Sequence, residues 1–166
     1  VYGQSKLAAE GYIGLYRRAG KIRGVACRLG NVYGPRQDPA LEAGVVAIFC
    51  GLAREPGARP TVFGDGAQTR DYVHVADVAA GLMAAQGTEH AGPFNIGTGV
   101  ETDVLTLAET IGRMAGRDDF EPEFAPHREG EIQRTVLDVS RAGSDLGWRP
   151  ERKLDSGLEQ TLAAEG

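Results

Sequence analysis

No glycine-rich phosphate loop of the form G-x-G-x-x-G or G-x-x-G-x-x-G occurs anywhere in the 166 residues. This stretch of chain therefore does not by itself supply the usual dinucleotide-binding turn. Basic charge is also scarce. Lysine plus arginine number 18 against 23 for aspartate plus glutamate, and the net charge of -5 argues against a general nucleic-acid or membrane surface. Any bound anion must be held by a few placed arginines. There are only two cysteines, Cys27 and Cys50. Both lie in apolar runs without metal-ligand or redox spacing, so they read as buried thiols of a reducing compartment, the cytoplasm, and no metal site is expected. No apolar stretch approaches the length of a membrane span, and no charged leader precedes one. The first residue is Val1 rather than methionine, so the true start is expected upstream. What is present suffices for one domain with a real core, since a chain of this length buries roughly 70% of its unfolded surface.

Periodicity alternates between helical and extended along the chain. Leu7, Ala8, Tyr12, Leu15 and Tyr16 recur at helical spacing over residues 2–19, with Gly20 as a stop. Residues 23–29 alternate as a strand and lead into a Gly/Pro loop. A helix is expected over 45–55, a short strand over 61–63, a turn at Gly64-Asp65-Gly66 and an extended stretch over 70–75. Asp77 is expected to cap a helix running to Gln86. A strand at 94–96 precedes a helix opened by a Thr106/Glu109 capping box. Further strands are expected at 121–125 and up to Asp138. Ser140 would cap a short helix, and a Ser156/Glu159 box the last one. Helices and short strands in alternation define an α/β class.

Four segments carry chemistry. Tyr2 and Lys6 stand four apart on a helix, which puts phenol and ammonium on one face. A phenol of ordinary pKa about 10 needs a nearby cation to act as a base near neutrality. The sequence R-L-G-N-V-Y-G-P-R over 28–36 ends a strand at Asn31 and then turns; the ends of such strands are where ligands bind in open α/β sheets, though an asparagine there also serves as a plain turn residue. After the Gly64-Asp65-Gly66 turn comes Arg70, whose planar fork suits phosphate oxygens, unless Asp65 or Asp71 takes it locally. Lastly, Arg128 and Glu131 share a polar loop, which reads either as solvated surface or as a second cation beside a carboxylate able to accept from ribose hydroxyls.

In this order the segments resemble the extended short-chain dehydrogenase/reductases, and most closely the bacterial UDP-glucose 4-epimerases. The resemblance runs from Y-G-Q-S-K at 2–6, through R-D-Y-V-H-V at 70–75 and F-N-I-G at 94–97, to L-G-W-R-P at 146–150. The stretch N-V-Y-G-P-R-Q-D-P at 31–39, followed by E-A-G-V-V at 42–46, looks more like the epimerases than their dehydratase or decarboxylase siblings. The resemblance implies the C-terminal portion of an NAD(P)-binding Rossmann-like domain (1–35 and 68–98) joined to a small α/β nucleotide-sugar-binding domain (36–67 and 99–166). It implies NAD as cofactor, a UDP-sugar as substrate and a homodimer built through a helix pair. By the same implication Tyr2 is the proton-transfer residue, and Lys6 holds the nicotinamide ribose and favours the phenolate. Asn31 binds the diphosphate, Arg70 and Arg128 neutralise it, and Glu131 reaches the ribose. Val45, Thr61, Val62 and Phe63 line the uracil pocket, and residues 71–75 form a structural strand behind Arg70. Thr135 faces the sugar's C2 substituent, unless it is an ordinary strand residue. A 4,6-dehydratase, a decarboxylase and a non-catalytic nucleotide-sugar-binding module stand as alternatives.

Overall fold

The computed structural model describes residues 1–38 and 44–164; Pro39, Glu42 and Ala43 of the epimerase-like stretch lie outside the described residues. Helix α1 (Tyr2–Arg18) forms as its periodicity predicts and ends at Gly20, where a left-handed φ of 67° turns the chain and the Lys21 N–H closes on the Tyr16 carbonyl. None of its residues is buried. The extended run predicted over 23–29 becomes regular only at β1 (Cys27–Leu29) and continues, after Gly30, as β2 (Asn31–Tyr33). Gly30 is where this strand changes partner.

Three parallel pairs and one antiparallel pair organise the rest. Strand β1 pairs with β6 (Phe94–Ile96), β2 with β5 (Tyr72–His74) and β3 (Thr61–Phe63) with β8 (Glu123–Ala125), all parallel. Strand β4 (Thr69–Arg70) runs antiparallel to β7 (Thr102–Asp103). At Gly30 the strand leaves β6 for β5: Gly30 N–H donates to the Ile96 carbonyl at 2.9 Å, and Asn31 N–H donates to the Asp71 carbonyl at 2.7 Å. A Cβ at Gly30 would stand 2.8 Å from that Asp71 oxygen, so only glycine lets the three strands meet there. Divergence of neighbouring parallel strands opens the kind of crevice in which α/β proteins hold ligands.

Helices α2 (Val45–Arg54), α4 (Val104–Met114) and α6 (Leu154–Ala164) pack a core of Tyr33, Phe49, Val62, Leu107, Ile111 and Leu158. On the other face of the β2/β5 pair, α3 (Val75–Ala85) and α5 (Ser140–Leu146) close over Val73, Val78, Phe94, Ile96 and Trp148. The two faces follow from alternation, with Tyr72 and His74 inward to the first core and Val73 to the second.

The caps differ from those expected. The His74 imidazole, not Asp77, caps α3 by accepting from Ala76 N–H at 3.2 Å. Burial first, then the Arg152 charge, holds that imidazole below its ordinary pKa, against the opposing pull of Asp77. Helix α4 starts two residues before Thr106 because Asp103 caps it, accepting from the Thr106 N–H and hydroxyl at 2.8 and 2.7 Å. Burial raises the Asp103 carboxyl, but these bonds outweigh it and keep the group below the ordinary range. Ser140 and Ser156 lie inside their helices, the latter donating back to the Lys153 carbonyl. No strand reaches Asp138: the segment makes only a bridge between Thr69 and Arg134.

Candidate active site

Tyr2 and Lys6 stand one turn apart at the start of α1, with the Lys6 Nζ 5.2 Å from the centre of the Tyr2 ring. Together with Glu10, Cys27, Arg28 and Leu29 they line a cleft of about 670 Å³ between α1 and β1. Two arginines hold α1 in place. Arg28 makes a forked pair with Glu10 at 2.9 and 2.7 Å, while Arg17 donates to the Gly24, Thr88 and Glu89 carbonyls. The helix is thus tied to the sheet by guanidinium bonds rather than by buried apolar side chains.

Phe63, Arg70, Arg128 and Glu131 converge in a second cluster. Strand β3 carries Thr61 and Phe63 on one face and Val62 on the other. Val62 is buried in the core and Val45 packs against it, whereas Thr61 is exposed. The turn after Phe63 uses left-handed Gly64 and Gly66, φ 70° and 77°. It delivers the chain to β4 and Arg70. The loop following β8 then folds back so that the Arg128 guanidinium lies 3.6 Å from the centre of the Phe63 ring, a cation–π stack. Glu131 N–H donates to the Arg128 carbonyl, and its carboxylate pairs with Arg70 at 3.5 Å. The second Glu131 oxygen is buried without a partner.

Neither local partner foreseen for Arg70 takes it. Asp65 accepts from Ala67 N–H, and Asp71 turns inward to Thr98, Gly99 and Leu137. The remaining two predicted residues border the same region. Asn31, exposed at the head of β2, is bonded through its N–H to Asp71, the neighbour of Arg70. Thr135 N–H donates to the Thr69 carbonyl at 3.2 Å, which lays it alongside β4. Sequence reasoning missed the Arg128–Phe63 stack, the Arg70–Glu131 pair and the role of Asp71. All three depend on contacts between distant segments, and only the Gly-Asp-Gly turn before Arg70 hinted at a built site.

Parallel strand pairs that part at Gly30, flanked by helices on both faces, are the arrangement of a Rossmann-like α/β fold. The chain belongs to the NAD dependent epimerase/dehydratase family, whose model matches residues 1–97. It is 44% identical over 162 residues to the UDP-glucose 4-epimerase of Mycolicibacterium smegmatis, covering 97% of this chain and 51% of that protein. A solved UDP-glucose 4-epimerase of Thermotoga maritima with UDP-glucose superposes with a TM-score of 0.92 at 39% identity, over 99% of this chain and 52% of that one. The UDP-glucuronic acid decarboxylase 2 of Arabidopsis thaliana is 35% identical, over 95% of this chain and 35% of its own. The chain spans about half the length of the two epimerases.

Proposed function

We propose that this chain is the nucleotide-sugar-binding half of an NAD-dependent UDP-hexose 4-epimerase, interconverting UDP-glucose and UDP-galactose. The observation that carries the reading is the convergence of Phe63, Arg70 and the Arg128–Glu131 loop from three separate segments. Two guanidinium groups beside an aromatic face and a carboxylate match a diphosphate, a uracil ring and ribose hydroxyls respectively. In this reading Asn31 adds a donor to the diphosphate, and Val45, Thr61 and Val62 complete the uracil pocket, the buried Val62 through its backbone. Residues 1–35 and 68–98 belong to the Rossmann part and 36–67 and 99–166 to the substrate part. The β1–β6 and β2–β5 pairs inside the first set and β3–β8 inside the second support that division. A homodimer through α1 is part of the proposal, supported by the exposed Leu7, Tyr12, Leu15 and Tyr16. So is a cytoplasmic location, supported by half-buried Cys27 and buried Cys50 not being joined in a disulfide.

The cleft beside Tyr2 and Lys6 has room and a cation for a nicotinamide ribose, with the cofactor's phosphate loop supplied outside this sequence. When bound, NAD supplies a hydride acceptor at the sugar C4 and returns the hydride. Tyr2 takes the C4 hydroxyl proton as a 4-keto sugar forms and gives it back after the sugar has turned over. Arg70, Arg128 and Asn31 keep the diphosphate anchored during that rotation, so the keto sugar does not leave.

Calorimetric titration of the full-length protein with UDP tests the reading. Arg70→Ala should weaken UDP binding by about 2 kcal/mol, the loss of one charge-assisted interaction; unchanged affinity would remove Arg70 from the phosphate site. Incubation with UDP-glucose should give UDP-galactose, and a dehydrated or decarboxylated product from UDP-glucose or UDP-glucuronic acid would instead assign the chain to a sibling reaction. Thr135 sets the sugar range in the same proposal, because threonine leaves room for an acetamido group that an aromatic side chain would exclude. Thr135→Tyr should lower kcat/KM for UDP-N-acetylglucosamine selectively. Equal losses on both sugars, or no activity of the parent on the N-acetyl sugar, would place Thr135 outside the site.

A further inference from the structure

Asp71 follows Arg70 directly, is fully buried, and among the described residues makes no salt bridge. Its two oxygens take two donors each. Oδ1 accepts from the Thr98 N–H at 2.7 Å and the Thr98 hydroxyl at 2.6 Å; Oδ2 accepts from Gly99 N–H at 3.0 Å and Leu137 N–H at 3.2 Å. The fit around it is close, since a Cβ at Gly97 would stand 2.5 Å from Oδ2. Its carbonyl meanwhile accepts the Asn31 N–H at 2.7 Å. Four stretches of chain therefore meet on one residue: β2, the β4–β5 strand, the loop after β6 and the segment leading to Leu137. A buried carboxylate is a costly way to join loops, and the cost is offset only when every donor is in place. What the junction fixes is the relative placement of Asn31, Arg70 and Thr135, two residues before Leu137. Phe63 and Arg128 hang from β3 and the loop after β8 and make no bond to it.

We propose that Asp71 is a positioning residue for the diphosphate and sugar end of the nucleotide-sugar site, holding Asn31, Arg70 and Thr135 in mutual register at the point where β2 parts from β6. The proposal rests on the nucleotide-sugar reading above. It predicts a division of labour within one ligand: disturbance of Asp71 is felt at the phosphates and not at the base.

The test is the affinity of the full-length protein for UDP and for uridine, measured in parallel. In Asp71→Asn the amide brings one acceptor and one NH2, and whichever way it lies the NH2 faces two N–H or O–H donors. Either the Thr98 N–H or the Gly99 and Leu137 N–H groups lose their acceptor, since only the Thr98 hydroxyl can turn to accept. UDP affinity should fall on the order of tenfold while uridine affinity stays within about twofold, and amide exchange at Leu137 or Thr98 should quicken. Thr98→Val keeps the backbone donor and removes only the hydroxyl; it should show the same asymmetry, smaller in size, and carries the test should Asp71→Asn fail to fold. A parent protein that binds no UDP overturns the nucleotide-sugar reading, and the proposal with it. A parent that binds UDP, with variants that weaken UDP and uridine alike or neither, overturns the positioning role alone.

Discussion

On the proposed function, replacing Tyr2 by phenylalanine in the full-length protein should lower turnover by roughly 10²-fold or more and leave UDP binding unchanged. The substitution isolates one hydroxyl because little else depends on it. Tyr2 is 76% exposed, so no core packing is lost. Its backbone carbonyl, not its ring, accepts the Ser5 hydroxyl at the start of α1. A phenylalanine ring still offers its face to Lys6. The proposed nucleotide anchors Arg70, Arg128 and Glu131 sit in a separate cluster, so KM for UDP-glucose should move far less than kcat. Steady-state kinetics in both directions, with UDP titration as the control, read this split. A variant retaining more than a third of parental kcat would take proton transfer away from Tyr2.

The helices and the Gly-Asp-Gly turn were legible because their signals are local. The periodicity of α1, α2 and α3 and the glycine at each end appear within windows of a few residues; the structure places α1 and α2 within a residue of expectation, while α3 begins three residues earlier than the Asp77 cap implied. Caps were harder. A side chain such as Thr106 or Asp77 has the right chemistry for an N-cap, yet Asp103 and His74, a few residues earlier, take the role because the preceding strands β7 and β5 end there and hand the chain directly to the helix. The strand expected before Asp138 failed for a different reason. Residues 133–138 have β-compatible composition, but their donors go to Thr69 and Asp71 one at a time, and a ladder never forms.

Site residues divide the same way. Tyr2 and Lys6 are four apart and needed only a helix to meet. Arg70 and Glu131 are far apart in sequence, and no spacing rule could have joined them; the family resemblance named both for one ligand, and the fold brings them to 3.5 Å. Asp71 was legible only as a strand residue or as a local partner for Arg70. Its four donors come from the loop at 98–99 and from Leu137, so its use emerges only from tertiary structure.

Asp77 gives the largest expected effect on stability, about 3 kcal/mol lost in Asp77→Ala. The residue is 2% exposed, and its carboxylate takes three donors: the Arg152 guanidinium at 2.6 Å, the Arg152 N–H at 3.0 Å and the Glu151 N–H at 3.3 Å. Its carbonyl accepts the Trp148 indole N–H at 3.1 Å. One residue in the first turn of α3 thereby pins the segment that connects α5 to α6 across both cores, its carbonyl holding Trp148 and its carboxylate holding Glu151 and Arg152. Removing a partner from a buried pair costs more than the pair is worth, because the other charge and the two backbone donors stay behind without acceptors. Arg152 is one-third exposed, so water recovers part of its loss and the estimate sits at the low end of the usual range for a broken buried pair. The double variant Asp77→Ala/Arg152→Met separates the terms. It removes the stranded cation but not the stranded N–H groups, so about half of the loss should return. Trp148 is the only tryptophan and lies at this junction, which makes its fluorescence in urea the direct measurement. A single-variant loss below about 1 kcal/mol, or a double variant no more stable than the single, would show that the connection between the two cores is held by packing of Trp148 and Leu154 rather than by the Asp77 carboxylate.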